Sequence, residues 1–176
     1  LTLSDSKMYI DDSGNLSVAD IRSRCRRQQT RYGLDLVVID YLGLLQLGSK
    51  RGSLVADIAE ATRALKILAK ELQVPIMLLC QLSRGSESRK ENGYRPILAD
   101  LRDSGAIEQD ADMVLLLYRK ALAMRNRKDD SEYGGAPAEE IEDNTAEVIV
   151  AKNRNGPLKT VNLAFQGMFS RFVNPS

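Results

Sequence analysis

The residues best placed to do chemistry are an acid and an amide that each close an apolar run. Asp40 ends Leu36-Val37-Val38-Ile39, and Gln81 ends Ile76-Met77-Leu78-Leu79-Cys80. A carboxylate just beyond a buried strand can reach Mg²⁺, directly or through a water. A glutamine at the end of the next strand can sense a terminal phosphate or orient a water. The plainer readings are that Asp40 caps a turn and that Gln81 satisfies backbone groups at a buried edge. A third group lies in Asp100-Leu101-Arg102-Asp103-Ser104-Gly105. There Ser104 can cap a short helix, Gly105 allows close approach and Arg102 stands beside them, which together make a phosphate cradle. Lys152 and Arg154 follow an apolar strand beside a turn, where the residues alone read as an ordinary charged strand end. The chain holds no histidine, which excludes histidine-based catalysis and histidine metal sites.

The elements that must position these groups are legible in the patterning. Four consecutive apolar residues rich in valine and isoleucine predict a strand buried on both faces, as in a parallel sheet. Leu54, Ile58, Ala61, Leu65, Leu68 and Leu72 recur in steps of four and three, which predicts a long amphipathic helix over 54–72 with Ser53 as its cap. Helix 54–72 lies between the two apolar runs, so the arrangement is one βαβ unit with a right-handed crossover. That unit puts Asp40 and Gln81 at one edge of the sheet, where ligands of open parallel sheets bind.

Upstream, Lys7–Ile10 is a short strand candidate, closed by Asp11-Asp12-Ser13-Gly14. Ser17 with Asp20 forms a capping box for a helix running to about Tyr32, which Gly33 ends. Arg22, Arg24, Arg26, Arg27 and Arg31 make that helix basic. A solvated outer helix is preferred over a nucleic-acid face. Downstream, Ser83–Pro96 is a polar loop long enough to be functional or mobile. Met113–Tyr118 is a third apolar strand and Ala121–Asn126 a short helix. The acidic stretch 129–144 reads as a solvated, mobile excursion. Ala146–Lys152 and Thr160–Phe165 are strands joined at the hairpin signal Asn155-Gly156, and Met168–Val173 is a last strand.

A chain of 176 residues is one domain or a piece of one. The net charge of +1 gives no global argument for nucleic acid or membrane, so only local patches can carry one. No apolar run is long enough to span a membrane. Cys25 and Cys80 lack metal-ligand spacing and read as reduced thiols of a cytoplasmic protein.

Five pieces, in order, resemble the C-terminal RecA-like ATPase domain of the bacterial replicative DNA helicases, the DnaB family. They are Asp35–Leu42; Leu78–Arg84; Arg95-Pro96 leading to Asp100–Asp112; Lys152-Asn153-Arg154-Asn155-Gly156; and Phe169-Ser170-Arg171-Phe172. The resemblance implies an α/β fold: a RecA-like P-loop NTPase core, mostly parallel, with flanking helices and a C-terminal antiparallel hairpin, truncated at the N-terminus. It implies that Asp40 is the Walker B acid supporting Mg²⁺ on ATP and that Gln81 is the γ-phosphate sensor. Arg102, Asp103 and Gly105 match the loop that holds single-stranded DNA. Lys152 and Arg154 match the pair offered to the neighbouring subunit's γ-phosphate, with Arg154 as arginine finger. A homohexamer, a primase and a helicase loader are expected partners. Asp103 stands where the family usually has Glu, and Gly43 where it often has Gln.

No Gly-x-x-x-x-Gly-Lys-Ser/Thr occurs. The family's phosphate-binding loop and the strand with its catalytic glutamate lie upstream, so the expectation is a truncated piece that does not hydrolyse ATP alone and whose sheet has open edges. Sustained ATP turnover by the isolated chain would overturn that. Two other readings stand beside it. One is a non-catalytic module on the same fold that binds single-stranded DNA or a helicase partner, marked by salt-dependent binding with no nucleotide effect. The other is a different RecA-like ATPase, such as a recombinase or clock-type protein, against which the stretch Asp100–Asp112 argues.

Overall fold

A computed structural model describes residues 6–48, 53–83, 93–101, 105–125 and 144–175. The chain divides into two compact units, Leu1–Cys80 and Gln81–Ser176.

The first unit is built on the predicted βαβ pattern. It runs α1 (Val18–Tyr32), β1 (Val37–Ile39), a 3₁₀ turn (Leu42–Leu44), α2 (Leu54–Leu72) and β2 (Ile76–Leu78). β1 and β2 pair in parallel, with Val37 opposite Ile76, Val38 opposite Met77 and Ile39 opposite Leu78. Ile39, Val74 and three residues of the α2 stripe, Leu65, Leu68 and Leu72, close a core with Ile21 of α1. Leu68 is its most buried member, at 2% exposure.

Burial is one-sided, contrary to the expectation of strands covered on both faces. Val38 is 55% and Met77 50% exposed, because α1 and α2 both pack against the face that carries Val37, Ile39, Ile76 and Leu78. Leu54, placed on the α2 stripe by its spacing, is exposed as well, since it lies about two turns before Ala61, the first buried residue of the helix. Ser53 precedes α2 but makes no side-chain cap; its carbonyl accepts from the Asp57 amide at 3.0 Å. Gly48, at φ +52°, lies so close to the Asp57 carboxylate that a Cβ there would collide with its oxygens.

The capping box of α1 forms as read. The Asp20 amide donates to Ser17 Oγ at 3.2 Å, and the Ser17 amide donates to Asp20 Oδ2 at 3.0 Å. Arg22 and Arg26 both pair with Glu71 of α2, and Gln29 donates to the Leu72 carbonyl at 2.8 Å. Three of the five arginines of α1 are therefore engaged within the unit, the third being Arg24, which pairs with Asp11.

Lys7–Ile10 joins no ladder among the described residues, so it is not the expected strand. Side chains hold it instead, through Tyr9 stacked on Tyr32 at 5.5 Å and Asp11 bonded to Arg24. The Arg24 hydrogen bond, with further bonds from Ser13, holds the Asp11 carboxyl down to about 2. The folded value lies below the unfolded one, so the pair's contribution is whole above the ordinary aspartate range and is lost as pH falls toward about 2. Arg24→Gln is expected to raise the Asp11 midpoint toward the ordinary range, with the Ser13 bonds keeping part of the shift, read by NMR titration of its carboxyl carbon; an unmoved midpoint would contradict the assigned cause.

The second unit holds a 3₁₀ turn (Leu98–Asp100), α3 (Gly105–Asp110), β3 (Met113–Tyr118), α4 (Lys120–Arg125), β4 (Thr145–Asn153), β5 (Thr160–Gln166) and β6 (Arg171–Val173). The strands form one antiparallel sheet in the order β3-β4-β5-β6. Alternation along β3 buries Val114, Leu116 and Tyr118 and leaves Met113, Leu115 and Leu117 about half exposed. Asp100, 2% exposed, accepts from the Ile97 amide at 2.8 Å. Arg95 bonds Glu147 of β4 at 2.6 Å, and Tyr118 Oη donates to the Gly93 carbonyl at 2.5 Å, so residues 93–95 are tied to the sheet.

Two expected details differ here. Asn155-Gly156 lies in the turn that brings β5 back antiparallel to β4, as read, but the link is longer than those two residues. β4 and β5 pair only up to Ile149 opposite Thr160, while the far end of β4 stays with β3 past a bulge at Val114/Leu115. The last strand is shorter than 168–173, because Gly167–Phe169 forms a 3₁₀ turn and Ser170 takes a left-handed conformation. The stretch 129–143 and most of the loop 83–96 lie outside the described residues.

Candidate functional site

In the first unit, the tips of β1 and β2 leave the sheet together. The Leu79 amide donates to the Ile39 carbonyl at 3.0 Å, and the Leu42 amide donates to the Leu79 carbonyl at 2.9 Å. These two bonds bracket Asp40 and Tyr41, so the backbone of Leu79 runs beside the segment that carries the acid. Asp40 is exposed. Among the described residues no cluster of three or more acidic, cysteine or histidine side chains forms a complete metal cage. Mg²⁺ bound to a nucleotide needs none: it keeps waters and phosphate oxygens and takes one or two protein carboxylates. A single exposed carboxylate at a strand tip fits that requirement. Gln81 follows two residues after Leu79, opens the second unit and is also exposed.

In the second unit, the end of β4 meets the end of α3. Lys152 Nζ donates to the Glu108 carbonyl, and Arg154 Nη2 donates to the Gln109 carbonyl. Arg154 Nη1 also faces Asp112 Oδ1 at 3.3 Å, and the Arg154 amide donates to the Asp112 carbonyl at 2.9 Å. Both cations thus sit on the carbonyl end of a helix, where the backbone dipole favours positive charge. The guanidinium does not enter the core; its side chain stays 47% exposed.

Of the remaining predicted site residues, Arg102 and Asp103 lie outside the described residues. Gly105 is exposed and begins α3, and a Cβ there would meet no atom of the chain within 4 Å. Asp40 belongs to the first unit; Gln81, Gly105, Lys152 and Arg154 belong to the second. Sequence reasoning gave no role to Asp112. Its one signal was position, as the last acid before the third apolar run.

The family described as the DnaB-like helicase C terminal domain matches residues 1–174. The chain belongs to this family. It is 48% identical over 172 residues to the replicative DNA helicase DnaB of Leifsonia xyli subsp. xyli, covering 98% of this chain and 34% of that protein. It is 44% identical over 174 residues to the replicative DNA helicase DnaC of Bacillus subtilis, covering 35% of it. The chain therefore spans about a third of the length of these relatives. A DnaB-like replicative helicase, solved in a study of its interactions with primase, superposes with a TM-score of 0.80 at 39% identity, over 99% of this chain and 39% of that one. A second solved structure, an isolated ATPase domain, superposes equally well over 99% of this chain and 57% of its own. The fold is that of the RecA-like helicase ATPase domains, and within this DnaB-family chain the parallel pairing lies in β1–β2 while the C-terminal strands are antiparallel. No described helix is long and apolar enough to cross a membrane.

Proposed function

We propose that residues 1–176 are the C-terminal part of one RecA-like ATPase domain, in a subunit of a homohexameric replicative helicase. The ring couples ATP hydrolysis to 5′-to-3′ translocation on single-stranded DNA and so unwinds the duplex. The observation that carries this reading is the β1–β2 register, which sets Ile39 beside Leu78 and sends Asp40 and the segment leading to Gln81 out over one strand edge. Family membership supplies the reaction class.

In this reading ATP with Mg²⁺ supplies the transferable phosphoryl group. Asp40 would hold the cation, directly or through a water, and Gln81 would offer its amide to the terminal phosphate. Lys152 and Arg154 serve the γ-phosphate bound to the neighbouring subunit. There the planar, permanently charged guanidinium of Arg154 stabilises charge that develops during transfer. Arg102, Asp103 and Gly105 hold the DNA backbone, which suits a motor that must move along any sequence. A primase and a helicase loader are the expected partners, and the cytoplasm is the expected location.

The test is Asp40→Asn in the full-length ring. The Mg²⁺ concentration that half-saturates ATP turnover is expected to rise by about tenfold, the scale on which a change at a metal site weakens it. An unchanged Mg²⁺ titration would remove Asp40 from the nucleotide site.

A further inference from the structure

Arg154 is held within its own unit by Gln109, in the last turn of α3, and by Asp112, in the short link between α3 and β3. The Asp112 carboxylate faces Nη1 at 3.3 Å, the Gln109 carbonyl accepts from Nη2, and the Asp112 carbonyl accepts from the Arg154 amide at 2.9 Å. The backbone on both sides is sheet, since Met113 pairs with Asn153 in the β3–β4 ladder. Asp112 is thus a carboxylate on a fixed strand entrance, aimed at a guanidinium on a fixed strand exit.

We propose that Asp112 is a positioning residue for Arg154: it holds the guanidinium at the β4 exit before a neighbouring subunit presents its nucleotide. This rests on the reading of Arg154 as trans-acting. Arginine is long and flexible, and ordering it at the moment of reaction carries an entropic penalty. A partner that orders it in advance lowers that penalty, provided the contact is weak enough to yield. This one is. It is long for a salt bridge, the Arg154 and Asp112 side chains are 47% and 54% exposed, and exposed pairs of this kind contribute little. Guanidinium has five N–H donors. The contacts within the chain engage one donor nitrogen each, so a phosphate oxygen can be taken up before Asp112 lets go. Lys152, bonded to the Glu108 carbonyl one residue before Gln109, is presented from the same helix end.

The experiment measures steady-state ATP turnover of the full-length hexamer with Asp112→Asn, Asp112→Glu and Arg154→Ala. Assembly is checked by mass and folding by Tm. Asp112→Asn is expected to lower kcat by about fivefold while KM for ATP stays within about twofold, the scale that an exposed pair of this kind allows for pre-ordering the guanidinium. Asp112→Glu, which keeps the charge, is expected to recover kcat to within about threefold of the parent. A parental kcat in an assembled Asp112→Asn ring overturns the proposal, and so does a raised KM at unchanged kcat. Should Asp112→Asn fail to assemble, Asp112→Glu decides alone: a kcat more than about tenfold down in an intact ring overturns the proposal. Loss of turnover in Arg154→Ala with parental kcat in Asp112→Asn sinks only the positioning role. Retained turnover in Arg154→Ala sinks the trans-acting reading and the positioning role with it.

Discussion

Arg154→Ala in the full-length ring is expected to lower kcat for ATP by about a thousandfold or more, the range in which arginine fingers act. KM for ATP and affinity for single-stranded DNA should change little if, as proposed, the guanidinium serves a nucleotide held mainly by another subunit. Unfolding is not a competing explanation. Within its own chain the substitution removes an exposed ion pair and a hydrogen bond to a helix-end carbonyl, and an exposed pair of this kind is worth about 0–1 kcal/mol. The Tm should therefore stay close to that of the parent. Arg154→Lys separates shape from charge: an ammonium is a point charge without the planar fork, so it should restore little of the lost rate. Doping Arg154→Ala subunits into parental rings should lower turnover at least in proportion to their share, since each deprives a neighbour's site. A kcat within a few-fold of the parent would show that Arg154 only caps α3.

The second large effect is on stability. Leu68 is 2% exposed and touches the core made by Ile21, Ile39, Leu65, Leu72 and Val74. Leu68→Ala removes buried methyl groups and leaves a cavity, which is expected to destabilise the first unit by about 2–5 kcal/mol. Ile67, its neighbour in α2, is 57% exposed. Ile67→Ala is the control, with an expected change within about 0.5–1 kcal/mol. Denaturant unfolding of the two variants measures the difference. Equal effects would mean that α2 does not seat on β1 and β2 through the Leu65-Leu68-Leu72 stripe. Ile39, the last residue of β1, lies in the same core, so Leu68→Ala should also loosen the segment that carries Asp40.

The local pattern of the chain determined much by itself. The steps of four and three through Leu54–Leu72 set the bounds of α2, and the Ser17–Asp20 pair with Gly33 set those of α1, because caps and periodicity are properties of neighbouring residues. Two apolar runs with one helix between them were enough for the parallel β1–β2 pair, and five motif pieces in order, from Asp35 to Phe172, were enough for the family.

What packs against what was decided only by the tertiary structure. An apolar run says that a strand prefers cover, not which elements supply it; here α1 and α2 share one face, and Val38 and Met77 lie open. Lys7–Ile10 has the composition of a strand, but a strand also needs an edge, and the segment is held by Tyr32 and Arg24 instead. The β3–β4 ladder carries a bulge in which Ala151 of β4 has no partner residue, and no turn signal encodes it. The clearest case is Arg154. Its partners Gln109 and Asp112 lie 45 and 42 residues away. Their meeting depends on β3 and β4 lying side by side, and pairing between distant segments is a property of the folded chain rather than of residue spacing.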